Sequence, residues 1–213
     1  MNSELDIPLQ DWALSGEPFR LVAVAAAATD WTSLLPAEAQ ARAARHADGE
    51  AGARAGASEW LKTCWLPCEL ELAHVDWDTG PHGKPLLSGA AADWDFSLSH
   101  SGGYAVAALA RGADIGVDLE STVRKADIER LAARLFSESE QALVRTGGRD
   151  AFFTLWSQKE ALMKALGCGW ADGEIQSRTR LELSAFQTEP ATGAKIWSRR
   201  VLGGAYALAV AML

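Results

Sequence analysis

Between Ile115 and Glu120 the chain reads IGVDLE, with apolar Ile115, Val117 and Leu119 alternating with Gly116, Asp118 and Glu120. A period of two over so short a run specifies a β-strand with one buried face. Residues two apart on a strand point the same way, so Asp118 and Glu120 place two carboxylates side by side. Like charges so arranged are unfavourable unless a cation or a shared proton relieves them. A third acid lies in WSQKEALMKALG, residues 156–167, where strong helix formers dominate. There Glu160 and Lys164 are one turn apart and share a helix face. Three carboxylates beside an ammonium suit Mg2+ and a phosphate-bearing substrate, because a hard cation takes oxygen ligands and keeps positions open.

A chain of 213 residues can bury a substantial core, as one domain or as two small ones. The formal charge of −8 argues against a nucleic-acid binder, which needs a basic face to meet phosphates. Three cysteines, Cys64, Cys68 and Cys168, are odd in number and lack a zinc spacing, which fits a reducing compartment. The amino-terminal MNSELDIPLQ carries acids where a secretion signal carries positive charge. Apolar runs such as 21–28 and 205–213 are shorter than a membrane span. These features predict a soluble cytoplasmic protein.

In chain order, 19–26 reads as a buried strand, and a helical region opens at Pro36 and contains Arg42, Arg45 and Arg54. Gly49, Gly52 and Gly56 predict a break in it, and Pro67 its end. Strands are expected over 70–77, 95–100 (DFSLSH), 104–110 and 115–120, with a turn cluster at 80–85. Helices follow over 127–136, 138–144 and 151–166, then strands over 180–186, 196–201 and 205–211. A faint repeat sets Gly102-Gly103-Tyr104 against Gly203-Gly204-Ala205, and Leu34-Leu35 against Leu135-Phe136. It predicts an α+β pseudo-dimer of two similar halves, 1–112 and 113–213. Each half would be a small, mostly antiparallel sheet packed with helices, with the active site in the cleft between them.

Read together, GKPLL, DFSLSHS, IGVDLE, RLFSESE and WSQKEALMKALG resemble the successive signatures of the 4'-phosphopantetheinyl transferases, in their larger, pseudo-dimeric (Sfp-type) class. The resemblance covers about residues 36–167. It implies transfer of the phosphopantetheine arm of coenzyme A to a serine of an apo carrier protein, releasing adenosine 3',5'-bisphosphate. It further implies that Asp118, Glu120 and Glu160 hold Mg2+ (or Mn2+) and that Lys164 contacts the transferred phosphate. Ser99 and His100 would hold coenzyme A phosphates, Lys84 would bind phosphate or frame the adenine pocket, and Arg45 and Arg42 would approach the 3'-phosphate. Glu140, or a metal-bound water, would take the proton of the incoming serine. Where much of the family has asparagine after phenylalanine, this chain has Ser97, which keeps a hydrogen-bonding group with a shorter reach. A monomer is expected, with Arg124, Lys125, Arg130 and Arg134 offering a basic surface to an acidic carrier.

Taken singly, the motifs have plainer readings. Glu160 and Lys164 alone would be an exposed helical ion pair of roughly 0.3–0.5 kcal/mol. His100 alone would be a bonded structural histidine, and Lys84 a turn lysine. Trp156 reads as core. His46, His74 and His82 show no partner pattern. Other assignments for the whole are another Mg2+-dependent phosphotransferase or pyrophosphatase, or a non-catalytic relative that binds coenzyme A or a carrier. No P-loop supports an ordinary ATP-using kinase.

Overall fold

The computed structural model describes residues 9–10, 18–45, 49–80, 83–169 and 178–213. His46, His82 and most of the amino-terminal segment lie outside these described residues. Two four-stranded antiparallel sheets and a small hairpin, with helices packed on them, make an α+β architecture. The first sheet comprises β1 (Leu9–Gln10), β2 (Phe19–Ala25), β5 (Trp94–Ser101) and β6 (Tyr104–Arg111), in the order β1-β2-β6-β5. The hairpin pairs β3 (Asp76–Thr79) with β4 (Pro85–Ser88). The second sheet holds β7 (Ile115–Ser121), β8 (Phe186–Thr188), β9 (Lys195–Val201) and β10 (Tyr206–Met212), in the order β7-β10-β9-β8.

The helices are α1 (Ala37–Ala43), α2 (Glu50–Trp60), α3 (Leu66–Glu69), α4 (Ile128–Leu135) and α5 (Glu138–Leu166). Asp127 caps α4 by accepting from the Arg130 amide, and Ser137 with Glu140 forms a capping box at the start of α5. Gly167, with φ of 63°, ends α5 in the left-handed cap that the sequence signal Ala-Leu-Gly favours.

Three apolar clusters hold the layers together. One lies under α1–α3 on the first sheet, around Trp31, Leu61, Leu66, Phe96 and Leu109. A second lies under α4 and α5, around Phe152, Phe153, Leu155, Leu162 and Ile196. The third joins the sheets to each other: Leu21, Ala23, Val106 and Ala108 meet Ile115, Val117, Leu119, Leu208 and Val210. Thus β7 is buried on both faces, not on one as its alternation predicts, since the odd residues meet the other sheet and the even ones lie under α5.

Several expected elements differ. The strand expected over 70–77 is confined to Asp76–Thr79, because the amides of Leu70 and Leu72 bond back to Leu66 and Pro67 and prolong a helical turn. The strand expected over 180–186 is Phe186–Thr188, since the Leu181 amide is taken by a Glu140 oxygen and Gln187 closes a side-chain turn onto Glu182. Of the three glycines Gly49 stands just before α2, while Gly52 and Gly56 lie within it. Pro67 does not stop the helix there either. It occupies the first turn of α3, directly after a π-helical turn at Leu61–Trp65. Finally, the helices expected over 138–144 and 151–166 run together as α5, which bends sharply at Gly148 (φ 60°, ψ −141°).

Candidate active site

The carboxylate strand and the lysine helix meet because Gly116 lets them. A Cβ on Gly116 would collide with the carbonyl oxygen of Ala161, so α5 lies directly on β7 only where a side chain is missing. Lys164, one turn on from Glu160, reaches down to the strand. Its ammonium donates to Val117 O at 2.9 Å and to Asp118 Oδ1 at 2.8 Å. The ion pair is therefore between helix and strand, and Lys164 serves the carboxylate site.

The other edge of β7 is closed by side chains. Along β5, Asp95, Ser97, Ser99 and Ser101 point at β7, and each accepts from one of its backbone amides. Ile115 N donates to Asp95 Oδ2 at 2.7 Å and Val117 N to Ser97 Oγ at 2.9 Å. Leu119 N donates to Ser99 Oγ at 3.2 Å and Ser121 N to Ser101 Oγ at 2.9 Å. Edge-strand amides buried between two sheets need partners, and this ladder supplies them without backbone pairing. Ser97, the departure from the family pattern, is long enough for this contact. Ser99 also donates to Asp118 Oδ1 at 2.9 Å, and Ser101 to Glu120 Oε2 at 3.2 Å.

Asp118 and Glu120 are 5% and 8% exposed. Loss of hydration and the neighbouring Asp118 charge push the Glu120 carboxyl up to about 7, and the Glu160 charge adds to this; Arg124 and the Ser101 hydroxyl oppose it. Arg124 lies 3.4 Å from Glu120 Oε2, with its guanidinium over the rings of Phe153 and Trp156. Asp118 Oδ2 is buried and has no hydrogen-bond partner among the described residues. Such an orphaned carboxylate oxygen, beside a second carboxylate pushed towards protonation, is a donor set that a hard divalent cation fits. Among the described residues, no three of His, Cys, Asp and Glu already stand close enough to hold a metal together. Glu160 is near enough for its charge to act on Glu120.

Beside the ladder opens a cavity of about 350 Å3, lined by Lys62, Lys84, Phe96, Leu98, Lys164 and Cys168 among others. Three lysines around one pocket, in a chain of net charge −8, make a local site for an anion. Lys62 was not singled out by the sequence; on an irregular helix it looks like any surface lysine, and it also bonds Glu59 at 2.7 Å. His100 is exposed and shares its strand face with Phe96 and Leu98, so it stands one step beyond the pocket, on the face opposite Ser99.

Other expected site residues have different surroundings. Lys84 Nζ is held by Asp95 Oδ2 at 2.6 Å and approaches the carbonyls of Ile115 and Ala165 at 3.4 Å, tying β5, β7 and the end of α5 into one junction. Arg42 pairs with Glu59 at 2.8 Å, and Arg45 is exposed just beyond α1. Arg54 donates to the Gly102 carbonyl at 3.1 Å. Glu140 is fully enclosed. It accepts from the amides of Ser137 and Leu181 and pairs with the buried Lys159 at 3.1 Å. So placed it anchors the fold, and the proton-accepting role expected for it has no geometric support. Lys159, one residue before Glu160, points the other way from the helix, into this pair and Thr179.

The α+β fold thus brings strand carboxylates, a helix lysine and a lysine-lined pocket together, an acidic, cation-suited centre beside a basic pocket. Residues 114–211 match the family model described as the 4'-phosphopantetheinyl transferase superfamily. Over 128 residues the chain is 36% identical to the 4'-phosphopantetheinyl transferase HetI of Nostoc sp., covering 57% of this chain and 52% of that one. It is 31% identical over 115 residues to 4'-phosphopantetheinyl transferase AcpT of Salmonella typhimurium (52% and 59%), and 31% over 105 residues to 4'-phosphopantetheinyl transferase Sfp of Bacillus subtilis (47% and 45%). The chain thus spans about half the length of the curated relatives it matches. Over these stretches it is similar to members of the 4'-phosphopantetheinyl transferase superfamily.

Proposed function

We propose that this protein transfers the 4'-phosphopantetheine arm of coenzyme A to a serine of an apo carrier protein, releasing adenosine 3',5'-bisphosphate. The observation that carries the reading is Lys164, which spans from α5 to Asp118 at the wall of the lysine-lined pocket. In this reading Asp118, Glu120 and Glu160 hold Mg2+ or Mn2+, which when bound neutralises charge on the pyrophosphate. Lys164 leaves one carboxylate oxygen to meet the transferred phosphate, as a mobile point charge on a flexible stem. Lys62, in the pocket wall, and His100, one step beyond it along β5, receive the remaining phosphates. Lys84, held by Asp95, frames the pocket and fixes the end of α5. Arg42 and Arg45 stay candidates for the 3'-phosphate once Arg42 exchanges Glu59 for it.

The larger class is part of the proposal, with halves meeting near residue 112. It is supported by two four-stranded antiparallel sheets and by the repeated Gly-Gly pairs, which fall in the matching hairpins β5–β6 and β9–β10. A monomer working in the cytoplasm is part of the same proposal; among the described residues no helix is long and apolar enough to cross a membrane, and all three cysteines are free thiols. Lys125, Arg130 and Arg134 are exposed, as is Val123 at 79%, and these basic and apolar residues past β7 are proposed to dock an acidic carrier.

Incubation with coenzyme A, Mg2+ and a panel of apo carrier domains, followed by intact-protein mass measurement, tests the reading. A carrier gaining one phosphopantetheine arm is expected. Hydrolysis of coenzyme A with every carrier unchanged would point to a pyrophosphatase, and binding without reaction to a non-catalytic relative.

A further inference from the structure

The β5 ladder does two different things with the same side chain. A serine hydroxyl has one proton and two lone pairs. At Ser97 the hydroxyl accepts from Val117 N. At Ser99 and Ser101 it accepts from a β7 amide and then directs its proton at the carboxylate next to that amide in the strand: Ser99 to Asp118 Oδ1, Ser101 to Glu120 Oε2. We propose that Ser101 and Ser99 are positioning residues, which hold the two carboxylates of β7 in the orientation that receives a divalent cation. The inference rests on the assignment of those carboxylates as ion ligands under the proposed function.

The ladder fixes which oxygen of each acid is engaged. Oδ1 of Asp118 is taken by Ser99 and Lys164, while Oδ2 is buried with no hydrogen-bond partner among the described residues. Oε2 of Glu120 is taken by Ser101, with Arg124 at 3.4 Å. The lysine and the arginine sit on long, flexible stems. The serines have one rotatable bond each and are tied by a backbone amide to the same strand that carries the acids. Their hydrogen bonds therefore set carboxylate geometry before any ion arrives, which is how ligand-orienting partners act in metal sites.

The test is a Mn2+ titration of the isolated protein followed by electron paramagnetic resonance, without coenzyme A or carrier, beside thermal melts of each variant. Wild type is expected to bind Mn2+ and Asp118→Ala to lose that binding. Ser101→Ala and Ser99→Ala should each weaken Mn2+ binding about tenfold, while Ser101→Thr, which keeps the hydroxyl, should stay within about twofold of wild type. Ser97→Ala removes a ladder contact of the same kind but touches neither acid. It should lower the melting temperature comparably and leave Mn2+ affinity unchanged. Equal weakening by Ser97→Ala and Ser101→Ala would make the ladder purely structural, and unchanged affinity in both Ser101→Ala and Ser99→Ala would overturn the inference directly. Absence of Mn2+ binding at Asp118 in wild type would instead remove the ion site itself.

Discussion

At Glu120, burial and a like-charged neighbour both work against ionisation. With its pKa raised from the ordinary 4.5 to about 7, the folded protein holds this proton more tightly than the unfolded chain does. The resulting stabilisation is fully present below pH 4.5 and disappears as pH rises through about 7. Between pH 5 and pH 8, without divalent ions, wild type should lose about 2–3 kcal/mol relative to Glu120→Gln. Urea unfolding of both at the two pH values measures it; parallel pH dependence would show that Glu120 is not the group responsible. A cation competes with the same proton, so Mg2+ affinity should rise over this range, with proton release detectable by calorimetry in buffers of different ionisation enthalpy. The carboxylate pair was legible from alternation alone, because residue parity in a strand is local information. The partners that tune the pair were not, since the β5 side chains lie 20 residues upstream and only folding turns S-x-S-x-S towards β7.

Helix α5 carries its chemistry on one side of a bend and its anchor on the other. In a straight helix Glu140 and Lys159 would stand nearly 30 Å apart, at about 1.5 Å per residue. They touch because the chain reverses at Gly148, whose positive φ suits glycine. From sequence this segment could be read as two helices but not as a hairpin pinned by a buried ion pair, because nothing local specifies the pairing. That is also why the motif alone could suggest a base at Glu140, with a metal-bound water as the alternative, while the fold encloses its side chain in a buried pair. Glu140→Ala should cost about 3–5 kcal/mol, as expected when one partner of a buried pair is left alone. In the folded fraction, near-normal turnover is expected, whereas a catalytic base would lose turnover with stability little changed. Gly116→Ala tests the contact between α5 and β7. It should cost about 1–3 kcal/mol through overpacking and reduce transfer more than its melting temperature alone explains, because Lys164 and Glu160 move with the helix.

Across the whole molecule the acidic balance and the basic patches divide the labour. Lys62, Lys84 and Lys164 gather at the pocket, while Lys125, Arg130 and Arg134 lie exposed past the carboxylate strand. Reversing Lys125 and Arg130 to glutamate should slow association with an acidic carrier about tenfold at low salt and leave coenzyme A affinity unchanged. Stopped-flow binding and calorimetry separate the two, and equal loss of both would move carrier docking elsewhere. The sheets, their order around the pocket and the position of Lys84 at their junction needed the folded chain. The row of hydroxyls between β5 and β7 also limits how the sheets can move. Because its contacts repeat every second residue, a slide along the strand must break all of them and travel about 7 Å before they can form again. Tilting about that line is opposed by the apolar residues packed between the sheets, so row and cluster together keep the two acids at a fixed place beside the pocket.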